Sequence, residues 1–323
     1  MEDYIAIYND RKWEDSVCFC HLFEKAKKLP LAWTEKQQKE NREKVVREFK
    51  KKTKQILFLN LENGWDKLIQ EIKQEYPNLC VKVICTTLDS LLYDEEERKH
   101  FFRLLELNKS GIVDMIAFLR KGQYELYQSL GYHCYYLMEN YEIINKNDRN
   151  LEKREEELMQ IGVYPFSYEW NQNIFNQLCV AKMLDHARLR YNSLEPRMDD
   201  FINTMKISSQ KVELKGKSMQ EIEAEFENSD VILSCSFTQS FHFTFFLSME
   251  LGIPCLTGNH LDYLPQELAD YLVTEAEDNP IYNAQKVMNC YQNREKIRNL
   301  YQEWKEIYNK KAKENKEKFL QIK

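Results

Sequence analysis

The feature that most limits the fold of this chain is a series of short apolar runs, rich in β-branched and aromatic residues, spread along its 323 residues. Runs of this kind are typical of buried strands. They cover residues 4–8, 55–61, 81–87, 113–119, 134–138, 162–164, 187–191, 211–214, 231–235 and 254–257. Stretches of helical periodicity lie between them, for example at residues 65–75, 123–130, 175–184, 219–226 and 243–251. This alternation predicts parallel sheets joined by crossover helices.

The length suits two domains, and the polar, charged stretch at residues 140–157 is the best candidate for a linker. We therefore expect an N-terminal Rossmann-like domain at residues 1–145 and a second one at 146–323, the two facing each other across a cleft. Residues 9–54 break the rhythm and predict a helical insertion, with one amphipathic helix at 14–28 stopped by Pro30 and a charged helix at 34–54. Residues 282–323 predict a long charged terminal helix or helix pair.

Composition excludes several classes of function. The net charge is −6, so a broad basic surface for nucleic acid is not expected. Only 8 glycines occur, which disfavours a glycine-rich phosphate loop. No apolar run reaches the ~18 residues of a membrane span, and the acidic N-terminus does not have the pattern of a signal peptide. These features predict a cytoplasmic protein, with the inner membrane face as a further place of action.

The nine cysteines include no C-x-x-C pair. Five of them lie in or beside predicted strands and are expected to be small core residues in a reducing compartment: Cys80, Cys85, Cys134, Cys235 and Cys255. Cys18, Cys20 and His21 form a C-x-C-H group, but a single group with no second pair nearby is a weak zinc signal. No metal site is therefore predicted.

Two short motifs within residues 212–258 follow the predicted strand–helix pattern: Ser229-Asp230-Val231 enters one strand, and Gly252-Ile253-Pro254 enters the next. This stretch resembles the C-terminal domain of GT-B glycosyltransferases, above all the retaining group that uses nucleotide-sugar donors. Residues 114–141 resemble the last strand–helix–strand unit of the N-terminal domain of that fold. Residues 161–184 resemble the opening of its C-terminal domain.

The resemblance implies a donor loop before a helix that begins near Ser240 and Phe241. A helix N-terminus offers free N–H groups and partial positive charge to a diphosphate. The donor-binding residues predicted in this way are Thr238, Gln239, Ser240, Phe241, Gln172, Asn173 and Arg188. Thr244 could add a further hydroxyl. The simpler alternative, in which the Ser and Thr side chains only cap the helix, stays open.

The chain departs from the pattern of that group at its charged positions. The group places two glutamates eight positions apart around the donor loop, and the matching residues here are Gln239 and Leu247. Glu250 is rotated off that face of the helix and is not a substitute. The group also places Arg and Lys in the first C-terminal loop, whereas residues 165–173 contain no cation.

Replacement cations for a leaving diphosphate are Arg188 or Arg190, or the Arg120-Lys121 pair at the mouth of the expected cleft. Glu62, Asp89 and Glu139 follow predicted strands and could face the cleft as well. No catalytic acid or base can be assigned among them. His133 and His242 are candidates by position only, and we interpret them as core histidines.

Two functions stay open. The first is a metal-independent glycosyltransferase of polysaccharide biosynthesis, which transfers a sugar from a nucleotide-sugar donor to a glycan, lipid-linked or protein acceptor. The second is a non-catalytic GT-B-like protein that binds a ligand or a partner enzyme. In the first case the nucleotide diphosphate sugar is a substrate and no cofactor is implied. A homo-oligomer and an assembly with a partner glycosyltransferase are alternative states.

Overall fold

A computed structural model describes residues 4–9, 19, 22–23, 26–30, 38–49, 54–139, 158–239 and 241–322. The chain divides into two compact units. The first comprises Met1–Asn140 with Asn309–Lys323, and the second comprises Tyr141–Tyr308. Each unit contains one six-stranded sheet in which every neighbouring pair of strands is parallel. The predicted α/β class with two Rossmann-like sheets is confirmed.

The first unit is built from six strands in the order β2-β1-β3-β4-β5-β6 and from helices that connect them. Its elements are β1 (Tyr4–Tyr8), β2 (Lys27–Pro30), α1 (Gln38–Phe49), β3 (Gln55–Leu59), α2 (Trp65–Glu75), β4 (Cys80–Cys85), α3 (Glu95–Lys109), β5 (Met115–Phe118), α4 (Lys121–Ser129) and β6 (Cys134–Tyr136). The strands are short apolar runs because both faces of the sheet are covered. Trp65 starts α2 and is fully buried against Phe58 of β3, with ring centroids 5.5 Å apart.

The second unit has the strand order β12-β11-β10-β7-β8-β9. Its elements are β7 (Met159–Val163), α5 (Ile174–Lys182), β8 (Ala187–Asn192), α6 (Pro196–Met205), β9 (Ser209–Val212), α7 (Met219–Phe226), β10 (Val231–Ser234), α8 (Phe243–Glu250), β11 (Cys255–Gly258), α9 (Gln266–Leu272), β12 (Val273–Thr274), α10 (Pro280–Gln292) and the long α11 (Arg294–Gln321). The chain order reverses at β7, which pairs with β8 on one side and with β10 on the other. The space beyond β7 and β10 is therefore the topological switch point of this sheet.

The final turns of α11 belong to the first unit, although sequence reasoning assigned the whole terminal helix to the second domain. Polar groups on the first sheet bind the last backbone carbonyls of the helix. Lys82 Nζ lies 2.5 Å from the oxygen of Phe319, and Gln55 Nε2 lies 2.6 Å from the oxygen of Leu320. These carbonyls have no partner within a helix, so donors from the sheet hold the terminus.

Most predicted strands agree with the observed ones to within a few residues, and the terminal segment is a helix pair, α10 and α11. One expectation was wrong at its end: residues 27 and 28, given to an amphipathic helix, begin strand β2. Pro30 closes this edge strand, where its missing N–H is tolerated. The predicted linker at 140–157, most of the helix at 14–28, and the Cys18, Cys20 and His21 group lie outside the described residues.

The described cysteines are free thiols, and four of the five that sequence analysis assigned to the core are buried, with Cys134 half-buried. Burial raises the pKa of the Cys85 thiol to about 12, so this sulfur stays protonated at neutral pH. Within the described ranges, no three His, Cys, Asp or Glu residues gather as metal ligands. Likewise, no helix in those ranges is both long and apolar enough to cross a bilayer.

Candidate functional site

The candidate site lies at the carboxyl edge of the second sheet. Because all its strands are parallel, the segments that follow β7, β10, β11 and β12 leave the sheet at one edge. These segments are residues 164–173, 235–242, 259–265 and 275–279. Ligands of open α/β sheets bind beyond this edge at the switch point, which here lies between β7 and β10.

Asn173 fastens three of these segments together. It stands before α5 with φ of 53°, a left-handed conformation that asparagine tolerates better than most residues. Its Nδ2 donates to the backbone oxygens of Cys235, at 3.0 Å, and of Glu277, at 2.7 Å. One buried carboxamide thus fixes the segments after β7, β10 and β12 relative to one another.

Asn171 also joins the loops that follow β7 and β10. Its backbone oxygen accepts from the N–H of Phe237 at 2.8 Å, and its Nδ2 donates to the oxygen of Thr238 at 3.1 Å. Gln177 of α5 adds a third link, since its Oε1 accepts from the N–H of Cys235 at 3.2 Å. The loops on both sides of the switch point are therefore held by uncharged amides.

A buried chain of hydrogen bonds runs from Ser236 through two stacked histidines to Tyr263. Ser236 Oγ lies 3.0 Å from His260 Nε2, and His260 Nδ1 lies 3.1 Å from His242 Nε2. The hydroxyl of Tyr263 lies 3.0 Å from His242 Nδ1. Each contact needs one hydrogen and one lone pair. Two neutral imidazole rings can therefore satisfy every contact, with the hydrogens donated either from Ser236 towards Tyr263 or from Tyr263 towards Ser236.

The helix α8 begins at Phe243, as its periodicity predicted and two or three residues later than the resemblance implied, and His242 is its N-cap residue. The side chain of His242 makes no capping hydrogen bond to the helix. Instead it takes part in the histidine chain. The amino end of α8 faces the loop that follows β10. Its N-cap residue is therefore not the Ser or Thr that the capping alternative required.

Most residues predicted to bind the donor come together at this edge. Gln239 is buried, and its Oε1 accepts from Ser234 Oγ at 3.5 Å. Phe241 is buried beside the start of α8, while Thr238 is half-buried. Gln172 ends the short 3₁₀ turn before Asn173. Ser240, predicted in the same group, lies outside the described residues.

Arg188 does not join them. It is the second residue of β8 and pairs with Gln160 of β7, close to the amino end of both strands. The carboxyl end of β8 is Asn192, four residues farther along, which is roughly 13 Å at 3.3 Å per residue. Arg190, the alternative cation, forms an ion pair with Glu225 at 2.9 Å. Neither arginine is placed to contact a diphosphate at the switch point.

The charged candidates of the first unit follow four of its strands. Glu62 lies after β3, Asp89 after β4, Arg120 and Lys121 after β5, and Glu139 after β6. All five therefore occur at or near the carboxyl edge of the first sheet. Lys121 is an exposed residue 3.7 Å from Glu125 of the next helical turn, whereas Glu139 is buried.

Leu247, at the position of a missing glutamate, and Glu250, which was considered as its substitute, are both used in packing. Leu247 is completely buried in α8. Glu250 forms a buried ion pair with Lys305, at 2.5 Å, and accepts from the hydroxyl of Tyr301 at 3.0 Å. Burial beside this carboxylate raises the pKa of Tyr301 well above its usual value, so Tyr301 remains a donor. This geometry agrees with the exclusion of Glu250 from the donor site.

Sequence reasoning missed His260, Asn171 and Glu277. His260 comes two residues after β11, and Asn171 belongs to the loop searched for cations. Searching for polar residues of any charge after each predicted strand would have found these two, which a search for charge did not. Glu277 follows β12, a strand of two residues that the sequence analysis did not predict.

No protein-family model matches the chain, and no curated protein matches it in sequence. Several solved structures do match this chain in fold. HepE from Anabaena, in complex with UDP-glucose, is 11% identical with a TM-score of 0.65, covering 98% of this chain and 97% of that chain. A UDP-forming α,α-trehalose-phosphate synthase from Burkholderia xenovorans is 9% identical, with a TM-score of 0.60 over 99% and 98% of the two chains.

Sucrose-phosphate synthase from Thermosynechococcus elongatus is 15% identical, with a TM-score of 0.59, covering 87% of this chain and 76% of that one. The similarity to these structures extends over nearly the whole chain at very low identity. The chain therefore has the GT-B fold, as the sequence resemblance predicted.

Proposed function

We propose that this protein is a glycosyltransferase that binds a nucleotide-sugar donor at the carboxyl edge of its second sheet. The observation that carries the proposal is the switch point itself, where the loops after β7 and β10 are joined by Asn171 and Asn173 next to the amino end of α8. A similar structure, HepE, was solved in complex with UDP-glucose. The acceptor is a glycan, a lipid-linked saccharide or a protein.

In this proposal the diphosphate binds at the amino end of α8, where backbone N–H groups and the helix dipole supply positive potential. Thr238 and the carboxamide of Gln239 lie on the loop that leads into this helix and bind hydroxyl groups of the donor. Such neutral donors also stabilise negative charge as the diphosphate leaves, because they are preorganised. The reaction uses the nucleotide sugar as a substrate and needs no resident cofactor or metal.

A non-catalytic GT-B-like binding protein is the second candidate, and one observation favours it. At the position where the resemblance implies a glutamate, Leu247 is fully buried and cannot accept a hydrogen bond. The nearest carboxylate in α8, Glu250, is occupied by Lys305. Under this candidate, the second unit binds a nucleotide or partner but does not cleave the sugar–phosphate bond.

The buried free thiols suit a reducing compartment, so we place the proposed reaction in the cytoplasm, including the inner membrane face. The protein acts there alone, as a homo-oligomer, or with a partner glycosyltransferase.

The test is a binding screen followed by a turnover assay. Melting temperatures are measured with UDP, GDP, CMP and their sugar conjugates, since a ligand that binds only the folded state raises the melting temperature. Gln239→Ala should weaken the response to the active nucleotide sugar at least fivefold. Gln266→Ala, which removes an exposed glutamine of α9, should not.

Release of free sugar from the nucleotide sugar that binds then separates the two candidates. Hydrolysis above the uncatalysed rate supports transfer, and binding without hydrolysis supports the non-catalytic protein. A response to none of the nucleotides would overturn the glycosyltransferase and would favour the non-catalytic protein that binds a partner.

A further inference from the structure

Two aromatic rings lie side by side in solvent at the carboxyl edge of the second sheet. Trp170 is 54% exposed and Phe237 is 40% exposed, and their ring centroids are 6.0 Å apart with an angle of 33° between the planes. Single exposed apolar residues are ordinary. A tilted pair in ring contact, built from loops 67 positions apart in the chain, forms a joint apolar surface that needs an explanation.

Buried hydrogen bonds hold the pair in place. The N–H of Phe237 donates to the oxygen of Asn171 at 2.8 Å, and the Nδ2 of Asn171 donates to the oxygen of Thr238 at 3.1 Å. The N–H of Asn173 donates to the oxygen of Trp170 at 3.1 Å. These hydrogen bonds of Asn171 and Asn173 fix the two loops that carry the rings. A surface fixed in this way loses little conformational entropy when a ligand binds to it.

The loop that carries Trp170 offers no cation to a phosphate. The loop at residues 164–173 contains one ionised residue, the exposed Glu169 next to Trp170, and no Lys or Arg. A carboxylate repels a phosphate and accepts hydrogen bonds from hydroxyl groups. The ligand that suits two aromatic faces and an adjacent carboxylate is therefore flat on one side, uncharged, and rich in hydroxyls at its rim. A pyranose ring of a saccharide has these properties.

We propose that Trp170 and Phe237 form a stacking platform for a pyranose ring of a neutral oligosaccharide. The C–H groups on one face of the sugar lie against the two rings, and Glu169 accepts from hydroxyl groups at its edge. This inference goes beyond the proposed function, because stacking requires neither a nucleotide nor turnover. It assigns the second unit a saccharide subsite of its own in addition to the donor position.

The experiment uses the full chain labelled with 5-fluorotryptophan and observed by ¹⁹F NMR. The chain has 5 tryptophans, and the Trp170 resonance is assigned by its loss in Trp170→Phe. Maltotetraose, cellotetraose and chitotetraose are titrated separately, and UDP and UMP are titrated in parallel samples. At least one tetrasaccharide should shift the Trp170 resonance without any nucleotide present, and the UDP and UMP samples show separately what a nucleotide does to this resonance.

Variants decide whether the rings carry the binding. Trp170→Ala and Phe237→Ala should each weaken the affinity for that saccharide about three- to tenfold, the range of aromatic stacking energies. Trp170→Phe should retain most of the affinity, because it keeps an aromatic face. Phe102→Ala removes a ring of similar exposure from α3 of the first unit and should change nothing. Circular dichroism and melting curves verify that each variant is folded.

Two results would overturn the platform: no shift of the Trp170 resonance with any saccharide, or saccharide affinity that survives both alanine variants. Neither of these depends on donor binding. Loss of nucleotide binding with retained saccharide binding would instead count against the proposed function only.

Discussion

At the carboxyl edge of each sheet an asparagine side chain joins neighbouring segments, but the two asparagines join different kinds of segment. Each has an asparagine with positive φ, Asn60 at 60° and Asn173 at 53°, whose carboxamide reaches a neighbouring segment. Asn60 follows β3 and joins it to the adjacent strand β4 through both the N–H and the Oγ1 of Thr86. Asn173 instead connects the segments after β7, β10 and β12, across the switch point of its sheet.

The two edges also differ in charge. At the first edge, Asp89 accepts from the hydroxyl of Tyr127 at 3.0 Å, and Glu97 accepts from Thr87 Oγ1 at 2.9 Å. The bonds across the switch point of the second edge are made by amides and backbone groups. The first edge thus uses carboxylates to satisfy its polar groups, whereas the bonds between the loops after β7 and β10 introduce no charge. The second edge also has one carboxylate bond, from the N–H of Asn259 to Glu277 Oε1 at 2.8 Å, but it joins the segments after β11 and β12.

The largest expected effect tests how tightly the second edge is packed. A Cβ added at Gly258 would lie 2.1 Å from the backbone oxygen of Ser236, so Gly258→Ala must displace the loop after β10. We expect a loss of about 3 kcal/mol in the free energy of unfolding, measured by urea denaturation, together with loss of nucleotide binding.

Gly122→Ala is the control from the first unit. Its new Cβ meets nothing within 4 Å in α4, so it should stabilise the protein by about 0.5–1 kcal/mol. Equal stability of the two variants would show that the second edge is not the more crowded one.

Replacing Asn60 and Asn173 by alanine and by aspartate sharpens the comparison of the two edges. Both alanine variants should lose about 2–4 kcal/mol, because buried partners are left without hydrogen bonds and alanine disfavours positive φ. The two aspartate variants should differ from each other in the free energy of unfolding. Asn60→Asp keeps the acceptor for the N–H of Thr86 and should cost less than alanine.

Asn173→Asp has no donor for the oxygens of Cys235 and Glu277 and should cost at least as much as alanine. Urea denaturation at pH 7 gives all four values. Similar costs for the two aspartates would contradict the different hydrogen bonding of the two edges.

The first unit should show a pH dependence that comes from Lys82, which is buried under the end of α11. Burial lowers its pKa from 10.5 to about 8. Between these values the unfolded chain binds a proton that the folded chain does not, so stability due to this residue rises with pH. The wild type should therefore gain stability relative to Lys82→Met from pH 7 to pH 10.

Lys99→Met removes the same charge from the exposed surface of α3 and supplies the baseline for this titration. A wild-type advantage over Lys82→Met that stays constant with pH would contradict the assignment.

The smallest effect is expected at the amino edge of the second sheet. Arg188→Gln removes a cation that lies roughly 13 Å along β8 from the carboxyl edge, beyond the Debye length of about 8 Å at physiological salt. The dissociation constant for the nucleotide sugar should change less than twofold in isothermal titration calorimetry. A tenfold change would place the diphosphate at the opposite edge from the one proposed.

The sequence predicts most strands well because they are buried apolar runs, and it predicts the loop before α8 because a strand and a helix bracket it. It misses the edge strands β2, which is not an apolar run, and β12, which has only two residues. It does not predict how loops pair. Asn171 and Thr238 are bonded across 67 positions, and no local pattern encodes such a contact. The same limitation applies to the pairing of His242 with His260 and of Trp170 with Phe237.

The position of a residue within its element matters most for charged candidates. The predicted strand at residues 187–191 agrees with β8, and Arg188 is the second residue of both, so this cation lies at the amino edge of the sheet and away from the switch point. Likewise, the predicted helix at residues 243–251 agrees with α8, although the resemblance implied a start near Ser240. A correctly predicted element thus still has two ends, and only one of them is near the candidate site.

The most direct test of the account is hydrogen–deuterium exchange with and without the nucleotide sugar that raises the melting temperature most. The account predicts slower exchange in the two segments that flank the switch point, residues 164–173 and 235–243. Unchanged exchange there, with protection confined to peptides at the amino ends of β8 and β9, would contradict a donor site at the carboxyl edge of the second sheet.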